Sequence, residues 1–161
     1  MNDFETAEIY QAKALSAQNK HFEPNETADT LNELSSTYIL KGKHSEAKEL
    51  IEKFEKLIEQ KKNSTEFDYP KRLAQIANQK MALIDQGAAQ EFYKRTISAY
   101  KELINDNNFL EITRHTLETC ETLFYMDVQY SKDILEEILH ELEKYKEEVR
   151  HEQSKAMRML A

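Results

Sequence analysis

Between Leu31 and Phe54 the chain reads LNELSSTYILKGKHSEAKELIEKF, and this stretch leaves little freedom of fold. Leu31, Leu34 and Tyr38 recur at helical spacing before Gly42, and Ala47, Leu50, Ile51 and Phe54 do so after it. Each set is the 3.6-residue stripe of a helix with one buried side. So short a hinge turns the two helices back on each other as an antiparallel hairpin. Gly42 is one of only two glycines in 161 residues, and the only prolines are Pro24 and Pro70. With so few breakers, and with Glu, Lys, Leu, Ala and Gln abundant, the whole chain is predicted to be all-α.

The same pattern extends to both sides. A leading helix is expected over residues 3–19, carrying Phe4, Ala7, Tyr10, Ala14 and Ala17 on one face. After the polar break NKHFEPNET, Asn25 or Thr27 is the expected cap of the helix that runs to Gly42, and Ser45 that of the helix beyond it. The linker KKNSTEFDYP follows, with Asp68 placed to cap and Pro70 to sit in a first helical turn. Leu73, Ile76, Ala77, Met81 (or Lys80), Leu83 and Ile84 then form a stripe ending at Gly87, and a further helix starts near Ala88. Asn108 with Glu111 reads as a capping box, and the last helix begins near Ser131. The expectation is one domain over 1–161: hairpins at about 27–61, 70–105 and 108–150, and a C-terminal helical extension over 146–160, about seven helices in all. A chain of this size buries roughly 70% of its unfolded surface.

The candidate hinges Gly42, Gly87 and Asp127 lie 45 and 40 residues apart. Aligned on them, Leu31 falls over Ile76 and Tyr38 over Leu83. In the third unit Leu50 falls over Leu135 and Phe54 over Leu139. Recurrence at such a period points to a helical array. Leu31, Leu34, Ser35, Tyr38, Gly42, His44 and Ala47 stand at the intervals where the tetratricopeptide repeat carries its signature, so the first hairpin resembles that family. The second unit keeps Ile76 and Gly87, with Lys80 at the small-residue position and Phe92 at the alanine. The third keeps Leu123, with Cys120 at the small position and Asp127 in place of glycine.

The resemblance implies hairpins stacked as a right-handed array whose first helices line a groove for a peptide or protein. On that basis the groove residues would include Asp29, Asn32 and Ser36, then Asn78, Met81 and Asp85, then Arg114, Glu118, Glu121 and Tyr125. The family's carboxylate-binding members use lysines and asparagines at such positions, whereas here they are mostly acidic or neutral.

Charge narrows the partners. A net charge of −8 disfavours duplex binding, which needs a basic face to displace counterions. The densest basic group, Lys41, Lys43, His44 and Lys48, is followed at once by Glu46, Glu49 and Glu52. A basic or apolar protein or peptide is the better expectation, with no nucleic acid and no membrane partner. The single cysteine, Cys120, allows no internal disulfide and suggests a reducing cytoplasm.

Two features point elsewhere. Glu137 with His140 and Glu148 with His151 form two Glu-x-x-His pairs on the last helix, the basis of an alternative reading as a metal-binding bundle, possibly an enzyme. Eleven residues of helix separate the pairs by roughly 16 Å, too far for one dinuclear centre within a single chain. Leu135, Ile138, Leu142, Tyr145, Val149, Glu152, Ala156 and Met159 continue a 3-4 spacing that would either cap the stack or pair two copies as a homodimer. His115 and Cys120, five apart, do not share a helix face. No phosphate loop, serine elbow or zincin motif is present. The expectation is a non-enzymatic, regulatory or adaptor helical-repeat domain with no cofactor and no bound metal.

Overall fold

A computed structural model describes residues 9, 23–64, 68–105, 108–142 and 156–160. Among the described residues six helices with both ends defined follow one another: α1 (Pro24–Leu40), α2 (His44–Lys61), α3 (Tyr69–Ala82), α4 (Gln86–Leu103), α5 (Phe109–Leu123) and α6 (Val128–Leu142). Residues 156–160 are helical as well, and the described residues contain no strand, so the chain is all-α. The expected leading helix and the helix beyond Leu142 up to residue 155 lie outside the described residues. The chain divides into two compact units, Met1–Ala89 and Gln90–Ala161.

In the first unit α1, α2 and α3 pack on one another. Phe54, Leu34, Ile51, Ile58, Leu73 and Ile76 are fully enclosed, each stabilising the fold by about 1.5–3 kcal/mol through its burial. The α1–α2 turn has a Schellman closure: Lys43 N–H donates to the Tyr38 carbonyl (2.9 Å) and Gly42 N–H to that of Ile39 (3.0 Å). Gly42 takes φ 71° there, the left-handed conformation that glycine adopts at little cost. At the α3–α4 turn the same two bonds recur, Asp85 to Lys80 and Ile84 to Met81, both 2.9 Å. The left-handed residue in that turn is Ile84, at φ 61°, and not the expected Gly87, which lies inside α4. A β-branched residue in this conformation is strained.

That shift resets the repeat. The residues preceding α2, α4 and α6 are Lys43, Asp85 and Asp127, 42 residues apart each time. Buried positions follow the same interval: Ala47, Leu50, Ile51 and Ile58 correspond to Ala89, Phe92, Tyr93 and Tyr100, then to Ser131, Ile134, Leu135 and Leu142. In the first helices Leu31, Leu34 and Ser35 correspond to Leu73, Ile76 and Ala77. The alignment of Leu31 with Ile76 was therefore three residues out. A three-residue slip is nearly one helical turn and leaves the buried face almost unchanged, so periodicity alone does not detect it. In α6 the third-unit alignment was out by one residue, since Ile51 and not Leu50 corresponds to Leu135, whereas in α5 the buried Thr116, Thr119, Cys120 and Leu123 keep the expected 85-residue offset from Leu31, Leu34, Ser35 and Tyr38.

Capping differs from expectation at three places. Glu23, extended because Pro24 follows it, precedes α1, with Pro24 in the first turn where its missing N–H costs nothing. Lys43 precedes α2 without a side-chain cap, so Ser45 lies inside the helix. Asn108 does precede α5, but its side chain serves the end of α4 instead: Oδ1 accepts from Asn105 N–H (2.8 Å) and Nδ2 donates to the Leu103 carbonyl (2.9 Å). Asp68 caps α3 as expected, accepting from Lys71 N–H at 3.3 Å.

In the second unit α5 packs on α6 around Leu117, Leu123, Leu135 and Leu142. Tyr100 of α4 stacks on His115 of α5, ring centroids 5.5 Å apart. Lys94 of α4 reaches Asp127 at the start of α6 (2.7 Å), and Lys101 reaches Glu137 further along it (2.6 Å). The order of these contacts makes α4 and α6 run in the same direction.

Candidate functional site

In the first unit α1 and α3 also run in the same direction, because Arg72 meets Asp29 and Asn25 while Gln79, two turns on, meets Asn32 and Ser35. Two side-by-side parallel helices leave a furrow between them. Its walls are Asn32, Ser36, Ile39 and Leu40 from α1 and Gln75, Asn78, Gln79 and Ala82 from α3, around an open volume of about 340 Å³. Gln75, Asn78, Gln79 and Ala82 stand at i, i+3, i+4 and i+7, one face of the helix. The furrow is graded: carboxamides and a hydroxyl occupy one end, while Ile39, Ala82 and the 75% exposed Leu40 occupy the other.

Its floor is held by buried polar groups. Gln79, 3% exposed, donates through Nε2 to the Asn32 carbonyl (3.0 Å), to Asn32 Oδ1 (2.8 Å) and to Ser35 Oγ (2.6 Å). Ser35 Oγ in turn donates to the Leu31 carbonyl at 2.7 Å. Arg72, equally buried, pairs with the Asp29 carboxylate and donates to Gln75 Oε1 (3.1 Å) and Asn25 Oδ1 (3.3 Å). Lys80 turns to the other side, its Nζ 2.7 Å from Glu55 of α2. With Ala77 in register with Ser35, Lys80 no longer stands at the small-residue position.

Of the expected groove residues, Asn32, Ser36 and Asn78 line this furrow. Asn32 and Ser36 are partly committed to structure, since Ser36 Oγ donates to the Asn32 carbonyl at 2.8 Å. Asp29 holds Arg72 at the furrow's edge. Met81 and Asp85 are not among the lining residues: Met81 is half-buried, and Asp85 accepts from Ala88 N–H at 3.2 Å as the cap of α4. Gln75 and Ala82 were missed, although their helical spacing from Asn78 could have found them. Gln79 gave no such signal, because a glutamine buried at an interface reads in sequence as a solvated one.

The expected residues of the third hairpin divide as well. Glu121 and Tyr125 line a separate cleft at the α5–α6 turn together with Phe124, Val128, Lys132, Arg158, Met159 and Leu160, about 460 Å³. Arg114 and Glu118 are exposed on α5 outside it, and Glu118 Oε2 lies 3.5 Å from His115 Nδ1.

The other sequence features do not converge. Glu137 is occupied by Lys101, His140 is exposed, and Glu148 with His151 lies outside the described residues. Among the described residues no three potential metal ligands come together. Cys120 is fully buried, and that burial pushes its thiol up to about 12, leaving it protonated at neutral pH. No helix among the described residues is long and apolar enough to cross a membrane. No protein-family model matches the sequence, and no curated protein shows significant similarity to it.

Proposed function

We propose that the chain is a non-enzymatic interaction domain, of tetratricopeptide-like architecture, that takes an extended peptide or protein segment into the furrow between α1 and α3 and acts as an adaptor or regulator in the cytoplasm. The observation that carries this reading is the graded lining, carboxamides toward one end and exposed aliphatic groups toward the other. Carboxamides can donate to and accept from a peptide backbone at once, and Ile39, Leu40 and Ala82 offer an apolar seat for a side chain. The rigid floor adds to it, because a furrow whose walls are already ordered loses little entropy on binding.

The corrected register also supports the architectural part. With the 42-residue alignment the second hairpin carries Leu73, Ile76, Ala77 and Ala89 where the first has Leu31, Leu34, Ser35 and Ala47. The interval is longer than the 34 residues of the tetratricopeptide unit, so the likeness lies in the pattern of buried positions and not in the period.

The test is selection of binders from a random peptide library on the full chain, followed by calorimetry with Asn78→Ala and Leu40→Ser. Both side chains are exposed, so the fold is expected to persist. Binding should weaken about tenfold or more in the double variant, a typical effect for central contacts. Undiminished affinity, or a library that yields no binder, would overturn the furrow as the site.

A further inference from the structure

We propose that the cleft at the α5–α6 turn is a second recognition site, one that takes an acidic protein segment presenting a large apolar side chain. Its wall and floor are apolar: Phe124 and Tyr125, packed edge to face at 6.5 Å, with Val128, Met159 and Leu160. Tyr125 is 89% exposed and Val128 about half exposed, an unusual outlay of apolar surface at a single turn. Aromatic groups so placed serve as anchors for a partner's side chain. The volume of about 460 Å³ falls in the range of ligand sites.

Charge decides which segment fits. Lys132 of α6 and Arg158 both line the cleft. Neither has an ion-pair partner among the described residues, in a chain where acids outnumber bases by 30 to 22. The one acid on the lining, Glu121, already has an interaction of its own. Two cations without an ion-pair partner among the described residues, beside an apolar floor, attract carboxylates and repel Lys or Arg at close range. A basic segment, favoured by the overall charge of −8, would therefore meet repulsion at this site.

The test uses the full chain and two arrays of short synthetic peptides, each with a central Phe, Leu, Met or Trp, flanked by Glu in one array and by Lys in the other. Binding is read by fluorescence polarisation. The Glu-flanked peptides should bind about tenfold tighter than the Lys-flanked ones. That preference should vanish in the Lys132→Glu/Arg158→Glu double variant, and binding should weaken in Tyr125→Ser. Circular dichroism checks the fold, and the milder Lys132→Gln/Arg158→Gln pair replaces the reversal if that one unfolds. Asn78→Ala, in the other groove, should leave the preference intact, so failure here and failure of the furrow are read separately. Equal binding, preference for Lys, no binding by either array, or a preference that survives the double variant would each overturn the proposal.

Discussion

The two units fix a parallel pair of helices by different means. Between α1 and α3 the fastening is buried and polar, with Arg72 on Asp29 and Asn25, and Gln79 on Asn32 and Ser35. Between α4 and α6 it is partly exposed and ionic, with Lys94 on Asp127 and Lys101 on Glu137. The difference matters because a buried donor that loses its acceptor stays unpaired, whereas an exposed lysine returns to water. A one-step slip of α3 along α1 would orphan several groups at once. The first unit therefore specifies its register more sharply, and that is also where the ordered furrow lies. The turns differ in the same spirit: the α1–α2 turn places glycine at its left-handed position, while the α3–α4 turn places Ile84 there, 84% exposed.

If burial is what separates the two fastenings, removing one partner from each should show it. Asp29→Ala leaves the Arg72 guanidinium buried with only neutral partners and should cost about 3 kcal/mol in urea unfolding. Arg72→Met, which leaves a half-exposed carboxylate and a filled volume, should cost less. Equal losses would mean that the pair acts through packing alone.

The two turns should respond with opposite signs. Gly42→Ala has open space for its new methyl group, so it should destabilise by about 1 kcal/mol through backbone strain alone. Ile84→Gly relieves the same strain and gives up few contacts, so it should stabilise by a similar amount, about 1 kcal/mol. Thermal melts of both variants check the pair, and a loss of stability in Ile84→Gly would show that its side chain has a partner.

The smallest effects belong to the ionic fastening. Lys101→Ala should change stability by less than about 1 kcal/mol and less still at high salt. Lys94, which hydrogen-bonds Asp127, and the Tyr130 N–H together hold that carboxyl below the usual carboxylate range. A depressed value in the folded state means that this stabilisation is complete above the unfolded carboxylate range and is lost as pH falls through the folded value. Asp127→Asn should flatten that acid limb of the stability curve, and an unchanged limb would exclude Asp127 as its source.

The helices were legible because apolar spacing and scarce breakers act locally. Leu34, Ala47, Leu50 and Phe54 read as buried and are buried. The capping role of Asp68 was legible for the same reason: a cap needs only its neighbours. The candidate site was half legible. Asn32, Ser36 and Asn78 line the furrow, and Glu121 and Tyr125 the cleft, because helical spacing sets which residues share a face. Gln79 and Arg72 were not, because a polar residue becomes a buried fastening only when another helix brings it partners forty-odd residues away.

Composition and periodicity were enough to require an all-α chain of amphipathic helices turning back at short hinges, since each of those choices is made within a few residues. Register was not, because a helix shifted by three residues presents nearly the same apolar face. The packed structure chose between such registers by matching buried donors with acceptors across α1 and α3. That choice set the 42-residue offset between α1 and α3, put Ile84 at the position opened by Gly42 in the first turn, and decided which side chains meet across the furrow.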